Sequence, residues 1–333
     1  TLSVEAAGAI FLFLSLKPED YPDVSERIYF SVFHAISAFN NAGFQLKMAG
    51  LYDETLRWNY PFQMGIATLI IFGGLGFFIS FNVTKYFRQR IVARLRSLIL
   101  GDPLTHVPWI ISFNTRIVII TTFLLLVVGT GIFYATEYNA SLKEHEGIGK
   151  LVVAFFLSVT PRTAGFNDID MAVLTREGIM ITLLLMWIGA SPNSTGGGIK
   201  TTTFAVATLG IFNLARGRER IEFGRREVAQ ESLMRSFIII CLSLIALGFS
   251  IFAVVWSNPQ LDMVKIAFEC FSAFGTVGLS LGITSDLSDM GKLVISLTMF
   301  VGRVGTYTIL LAILKKAADP KFYRYPVENV IIT

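Results

Sequence analysis

The tetrapeptide Asn41-Ala42-Gly43-Phe44 recurs in variant form as Thr163-Ala164-Gly165-Phe166 and Thr276-Val277-Gly278-Leu279. Each copy ends a short, mostly apolar segment (residues 26–39, 149–161 and 261–274) and precedes a longer one. Only 16% of the 333 residues are charged, against about 25% in ordinary soluble proteins. Several apolar runs approach the ~20 residues that a helix needs to cross a bilayer. The chain therefore reads as an all-α polytopic membrane protein. In lipid every backbone polar group needs a partner within the protein. A short segment that cannot span must then enter and turn back as a half-helix, and the glycine loop is where it turns.

The remaining apolar segments order themselves around these loops. Residues 1–16 read as the end of a helix whose start is missing. Spans are expected at 56–83, 110–135, 236–256 and 292–314. The first is interrupted by Gly73-Gly74-Leu75-Gly76 and the last by Gly302-Arg303-Val304-Gly305. A further apolar stretch, 176–190, breaks at Gly189-Ala190-Ser191-Pro192-Asn193-Ser194-Thr195-Gly196-Gly197-Gly198 and resumes from Thr201 to Leu214.

Net charge is +4, but the basic residues fall in loops, which argues topology rather than nucleic acid. Lys85, Arg88, Arg90, Arg94 and Arg96 form one cluster, and Arg216, Arg218, Arg220, Arg225 and Arg226 a second. Lys315 and Lys316 follow the last span. The positive-inside rule places all three, and the C-terminus, in the cytoplasm. The acidic-biased stretch 137–146 then lies outside. These arms could also meet anionic membrane lipids. Cys241 and Cys270 lie in apolar segments and read as buried small hydrophobes.

Aligning the three glycines superposes Phe33, Phe155 and Phe268. The repeating unit is transmembrane helix, pore half-helix, filter loop, transmembrane helix. Three units result: 1–100, 101–226 with an intramembrane loop at 189–200, and 227–333 with the tail. Closure of such units around a pseudo-fourfold pore requires a fourth, expected upstream of Thr1.

Together, Ser37-Ala38-Phe39-Asn40-Asn41-Ala42-Gly43-Phe44, Thr160-Pro161-Arg162-Thr163-Ala164-Gly165-Phe166, Ser272-Ala273-Phe274-Gly275-Thr276-Val277-Gly278-Leu279 and Gly302-Arg303-Val304-Gly305 resemble the Trk/Ktr/HKT superfamily of potassium transporters. The tail Arg324-Tyr325-Pro326-Val327-Glu328-Asn329 is most similar to the bacterial Ktr membrane subunit. The resemblance covers essentially the whole chain, as the second to fourth of the family's four repeats. It implies a homodimer in the cell membrane, a pore in each protomer, and a cytoplasmic regulatory subunit that binds nucleotide.

Backbone carbonyls can replace the water around a potassium ion without adding fixed charge. Half-helix C-termini aim their partial negative charge at the same place. The expected filter residues are Asn40, Asn41, Ala42 and Gly43, then Arg162, Thr163, Ala164 and Gly165, then Gly275, Thr276, Val277 and Gly278. Potassium is the transported ion, and no organic cofactor or catalytic residue is expected. Only the last loop keeps the Thr-Val-Gly of potassium channels, which leaves sodium permeation or coupling open.

The polar break 189–198 reads as a gating loop by the family resemblance, with Lys200 beside it. Arg303 is an ionisable residue in an apolar span, and the resemblance puts it below the filter as an electrostatic barrier. Arg162 is expected to turn away from the ion path and to pair with Asp168 or Asp170. His34 and Glu269, aligned on two half-helices, read as polar supports. Gly196-Gly197-Gly198-Ile199-Lys200-Thr201 lacks the spacing of a phosphate-binding loop. Two alternatives stay open: the potassium-translocating subunit of an ATP-driven pump, and a non-conducting assembly subunit.

Overall fold

The computed structural model describes residues 2–100, 112–218, 221–223 and 226–313. Twelve α-helices run through them, with one antiparallel pair of two-residue strands, β1 (Glu222–Phe223) and β2 (Arg226–Glu227). The helices group by contact. Helices α1 (Leu2–Ser15), α2 (Val24–Phe39) and α3 (Tyr60–Leu75) pack on one another. So do α5 (Phe113–Glu137), α6 (Ile148–Val159) and α7 (Arg176–Trp187), and likewise α9 (Gln230–Ser257), α10 (Met263–Gly275) and α11 (Asp289–Val304). The third helix of one group packs on the short second helix of the next, as α3 on α6 and α7 on α10. Helices α4 (Phe77–Leu100), α8 (Thr201–Ala215) and α12 (Thr306–Ile313) follow the breaks after α3, α7 and α11.

Local chemistry sets the starts. Asp23 caps the Ser25 amide of α2 at 3.0 Å, and Asp262 caps Val264 and Lys265 of α10 at 3.1 and 3.2 Å. Thr175 and Ser288 cap α7 and α11 through the amides of Gly178 and Gly291. Each cap satisfies an amide that has no partner inside its helix. Phe62, Phe156 and Phe166 are fully buried in a core shared by the first two groups, and Phe133 and Phe268 in a core shared by the second and third.

Helix α5 rises about 38 Å, enough to cross a bilayer, and α9 is longer still. The expected single spans 56–83 and 292–314 are instead broken pairs. The chain bends by 101° between α3 and α4 and by 89° between α11 and α12. At the bends Gly76 and Gly305 have φ of +78° and +90°, a region that costs other residues strain and ends the helix. Arg303 consequently lies at the exposed end of α11 rather than inside a continuous span.

Gly73 and Gly302 do equivalent work one turn earlier. A Cβ at Gly73 would strike the carbonyl of Phe39, and one at Gly302 the carbonyl of Phe274. Each glycine lets a crossing helix approach the end of its own half-helix. Cys270 is buried as expected, but Cys241 is exposed, because α9 turns much of its apolar surface outward. Arg220, Arg225, Lys315, Lys316, the Arg96 side chain and the tail 324–329 lie outside the described residues, as do residues 101–111 at the boundary of the first two expected units.

The loop between α5 and α6 packs on the start of α3. The buried His145 ring shares a 3.0 Å hydrogen bond with the Tyr60 hydroxyl and lies 4.8 Å from the Trp58 ring. Burial, with Arg57 and Lys150 nearby, lowers its pKa to about 4.

Two outcomes are expected. Gly302→Val should destabilise the purified protein by about 1–3 kcal/mol through overpacking, read as a lower Tm. Gly131→Ala, where nothing lies within 4 Å of the added Cβ, should not lower it. Unfolded His145 takes its proton near pH 6.5, but folded His145 resists down to about 4. The unfolded state then binds more protons, so stability falls as pH drops through that interval. Tm measured against pH should lose this part of its slope in His145→Asn.

Candidate functional site

The half-helices α2, α6 and α10 end in loops of one backbone shape. Asn41, Thr163 and Thr276 have φ of +52°, +70° and +50°, and two residues later Gly43, Gly165 and Gly278 have +73°, +76° and +94°. Ala42, Ala164 and Val277 between them have negative φ. Each middle amide bonds back to its half-helix: Ala42 to the Ser37 carbonyl at 2.8 Å, Ala164 to Thr160 at 3.1 Å, Val277 to Ser272 at 2.8 Å. Hydroxyls from the same residues brace the far side. Ser37 Oγ donates to the Phe44 carbonyl at 2.8 Å and Thr160 Oγ1 to that of Phe166, while Ser272 Oγ accepts from the Gly278 amide at 3.1 Å.

The loops meet edge to edge. A Cβ on Gly43 would lie 2.6 Å from the Ala164 carbonyl oxygen, and one on Gly165 would strike the Val277 carbonyl. A Cβ on Gly278 meets nothing within 4 Å among the described residues. At the other edge Ala42 and Phe44 are exposed. Beyond the glycines, Gln45 Nε2 donates to Asn167 Oδ1 at 2.8 Å. Among the described residues, no hydrogen bond ends on the carbonyls of Asn41, Ala42, Gly43, Thr163, Ala164, Gly165, Thr276, Val277 or Gly278. Nine carbonyls without a partner, in three matching loops, are the defining feature of the site.

The break between α7 and α8 forms its floor. Ile188 and Ile199 pair in a parallel bridge that pinches the loop at its base. Ser191 binds the bend after α3, with its amide 3.1 Å and its Oγ 2.9 Å from the Gly74 carbonyl. Gly76 lies under Asn193 and Pro192, whose carbonyls would be 3.0 and 3.2 Å from an added Cβ. Three consecutive residues then face the three loops in turn. Thr195 Oγ1 donates to Asn41 Oδ1 at 3.3 Å. Gly196 lies against Thr163, whose Oγ1 a Cβ there would strike. The Gly197 amide donates to Thr276 Oγ1 at 3.1 Å. From below, Lys200 Nζ donates to the Gly196 carbonyl at 2.6 Å and Arg303 Nη1 to the Thr195 carbonyl.

Most of the residues singled out from the sequence are thus brought together, with three exceptions. Asn40 turns its side chain to Glu5 at 3.1 Å and the Ile36 carbonyl at 2.9 Å. Gly275 is the last residue of α10, packed under the Met186 carbonyl. Arg162 is buried and lines a small cavity with Ile70, Thr122 and Ala190. It does turn away from the loop edges, but the expected pairing is absent. Both Asp168 carboxylate oxygens and Arg162 Nε lack hydrogen-bond partners, and Asp170 caps the Ala172 amide at 3.0 Å. His34 and Glu269 act as supports: His34 Nδ1 holds the Phe30 carbonyl at 2.8 Å, and Glu269 accepts from Ser280 and Thr284. The hydroxyls of Ser37, Thr160 and Ser272 and the Gln45–Asn167 link were not anticipated. A hydroxyl residue five or six positions before each glycine was the available signal.

The family model of TrkH, cation transport protein, matches residues 1–325. The chain is 35% identical to the potassium/sodium uptake protein NtpJ of Enterococcus hirae, covering 99% of this chain and 69% of that protein. It is 34% identical to the Ktr system potassium uptake protein B of Vibrio alginolyticus, covering 99% of this chain and 68% of that protein. Its fold is similar to the potassium transporter TrkH from Vibrio parahaemolyticus, with a TM-score of 0.71 at 18% identity, over 94% of this chain and 62% of that one. On the family match and these identities, the chain belongs to the TrkH family of cation transport proteins.

Proposed function

We propose that this chain conducts potassium inward across the cell membrane, through a filter lined by the nine free carbonyls of residues 41–43, 163–165 and 276–278. Those unpaired carbonyls carry the reading. Oxygen dipoles without fixed charge suit an ion that must bind and leave again, and three half-helix C-termini add partial negative charge above the same point. Asn40, Arg162 and Gly275 border this filter and act structurally. The loop 189–198, held by Lys200 and Arg303, is the gate, since it closes the filter from below and is polar backbone within a membrane protein. Residues 1–100, 101–226 and 227–333 are its three repeating units.

The basic clusters are cytoplasmic in this reading. A homodimer regulated by a cytoplasmic nucleotide-binding subunit is what the sequence motifs' resemblance to the Ktr branch implies. Sodium permeation is the second reading, favoured by the name of the Enterococcus relative and by loops that differ from one another in sequence.

Ion flux into liposomes tests the proposal. Gly278→Ser should lower potassium-over-sodium selectivity by roughly tenfold, or about 1.4 kcal/mol in relative barriers; unchanged relative permeability would remove the filter assignment. Deleting part of 191–198 should raise basal flux by about an order of magnitude, and Arg303→Ala should raise it less. Wild-type uptake in the deletion would show that the gate lies elsewhere.

A further inference from the structure

A cavity of about 200 Å³ lies beneath the loop 189–198, between α8, α9 and the bend after α11. Its polar lining includes Lys200, Arg303, Thr203, Thr306, Tyr307 and Thr308, and no acidic residue contributes. Lys200 and Arg303 hold neighbouring carbonyls of one loop, those of Gly196 and Thr195, so two cations are drawn to one place. No described ion pair involves either. Lys200 is also the N-cap of α8, where a cation opposes the helix dipole. Among the described residues, no hydrogen bond uses the hydroxyls of Thr203, Thr306 or Thr308.

We infer that this cavity binds a phosphate group. Two like charges drawn to neighbouring carbonyls repel, and an anion between them offsets that repulsion. A guanidinium, an ammonium and three free hydroxyls are donors suited to a tetrahedral oxyanion. At about 30 Å³ per liquid water, the cavity takes a phosphate group with part of its hydration shell. Lys and Arg carry only donors, so the anion competes with the Thr195 and Gly196 carbonyls for them. Binding therefore loosens the loop and neutralises the positive field beneath the filter, and both effects raise cation flux. The regulatory part rests on the gate reading proposed above; the binding part does not.

Free phosphate and an anionic lipid headgroup share this chemistry, and two arms separate them. In the first, inorganic phosphate is titrated at constant ionic strength against the protein, by calorimetry in neutral detergent and by flux in phosphatidylcholine liposomes, with gluconate as control. In the second, flux and bound lipid (by native mass spectrometry) are compared between phosphatidylcholine vesicles and vesicles containing phosphatidylglycerol. One arm should show saturable binding and a rise in flux of roughly tenfold. Lys200→Gln and Arg303→Gln should each abolish both responses, and Lys200→Arg should restore binding. A response to inorganic phosphate names the free ion; a response to phosphatidylglycerol alone names the headgroup. Absence of binding in both arms, or binding unchanged in both Gln variants, overturns the site. Binding lost in the variants without any change in wild-type flux keeps the site and removes its link to the gate.

Discussion

A peptide group inside a bilayer has no water to bond, and that constraint organises this protein. Helices satisfy it within themselves; the three loops that end the half-helices cannot. Their middle amides bond back to Ser37, Thr160 and Ser272, and hydroxyls of the same residues brace the residues beyond. The carbonyls of residues 41–43, 163–165 and 276–278 are left without a partner among the described residues. The third helices of the first and last groups carry a glycine where they pass the carbonyl end of a half-helix, at Gly73 and Gly302.

The same constraint explains the floor. Residues 189–198 are non-helical, yet the loop is anchored on three sides. Ile188 and Ile199 close its base, Ser191 ties it to the bend after α3, and Arg303 reaches it from the end of α11. The bends are thus part of the site. They free carbonyls and direct side chains at a loop that would otherwise lack partners.

Much of this was legible in the sequence, because glycine spacing and segment length are local signals. A half-helix too short to span, followed by a glycine, was readable three times. The directions of the broken helices were not: apolar residues flank Gly76 and Gly305 on both sides, so the pattern reads as one span. The left-handed backbone at Asn41, Thr163 and Thr276 was also hidden, since glycine is the usual sign of it. The facing of 195, 196 and 197 on the three loops joins residues far apart in sequence, which no local pattern encodes. The Arg162 pairing failed for a related reason: nearby aspartates in sequence do not fix which way a buried guanidinium leaves the backbone.

Four non-glycine residues among those described hold positive φ, and three are Asn41, Thr163 and Thr276. Glycine would take that conformation without strain, which costs other residues of order 1–3 kcal/mol. Asn41 bonds to Thr163 and Thr195, Thr163 meets Gly196, and Thr276 receives the Gly197 amide. The strained positions are thus the ones whose side chains touch the floor. Consecutive floor residues each contact a different wall. A change in any one wall therefore reaches the others through this loop.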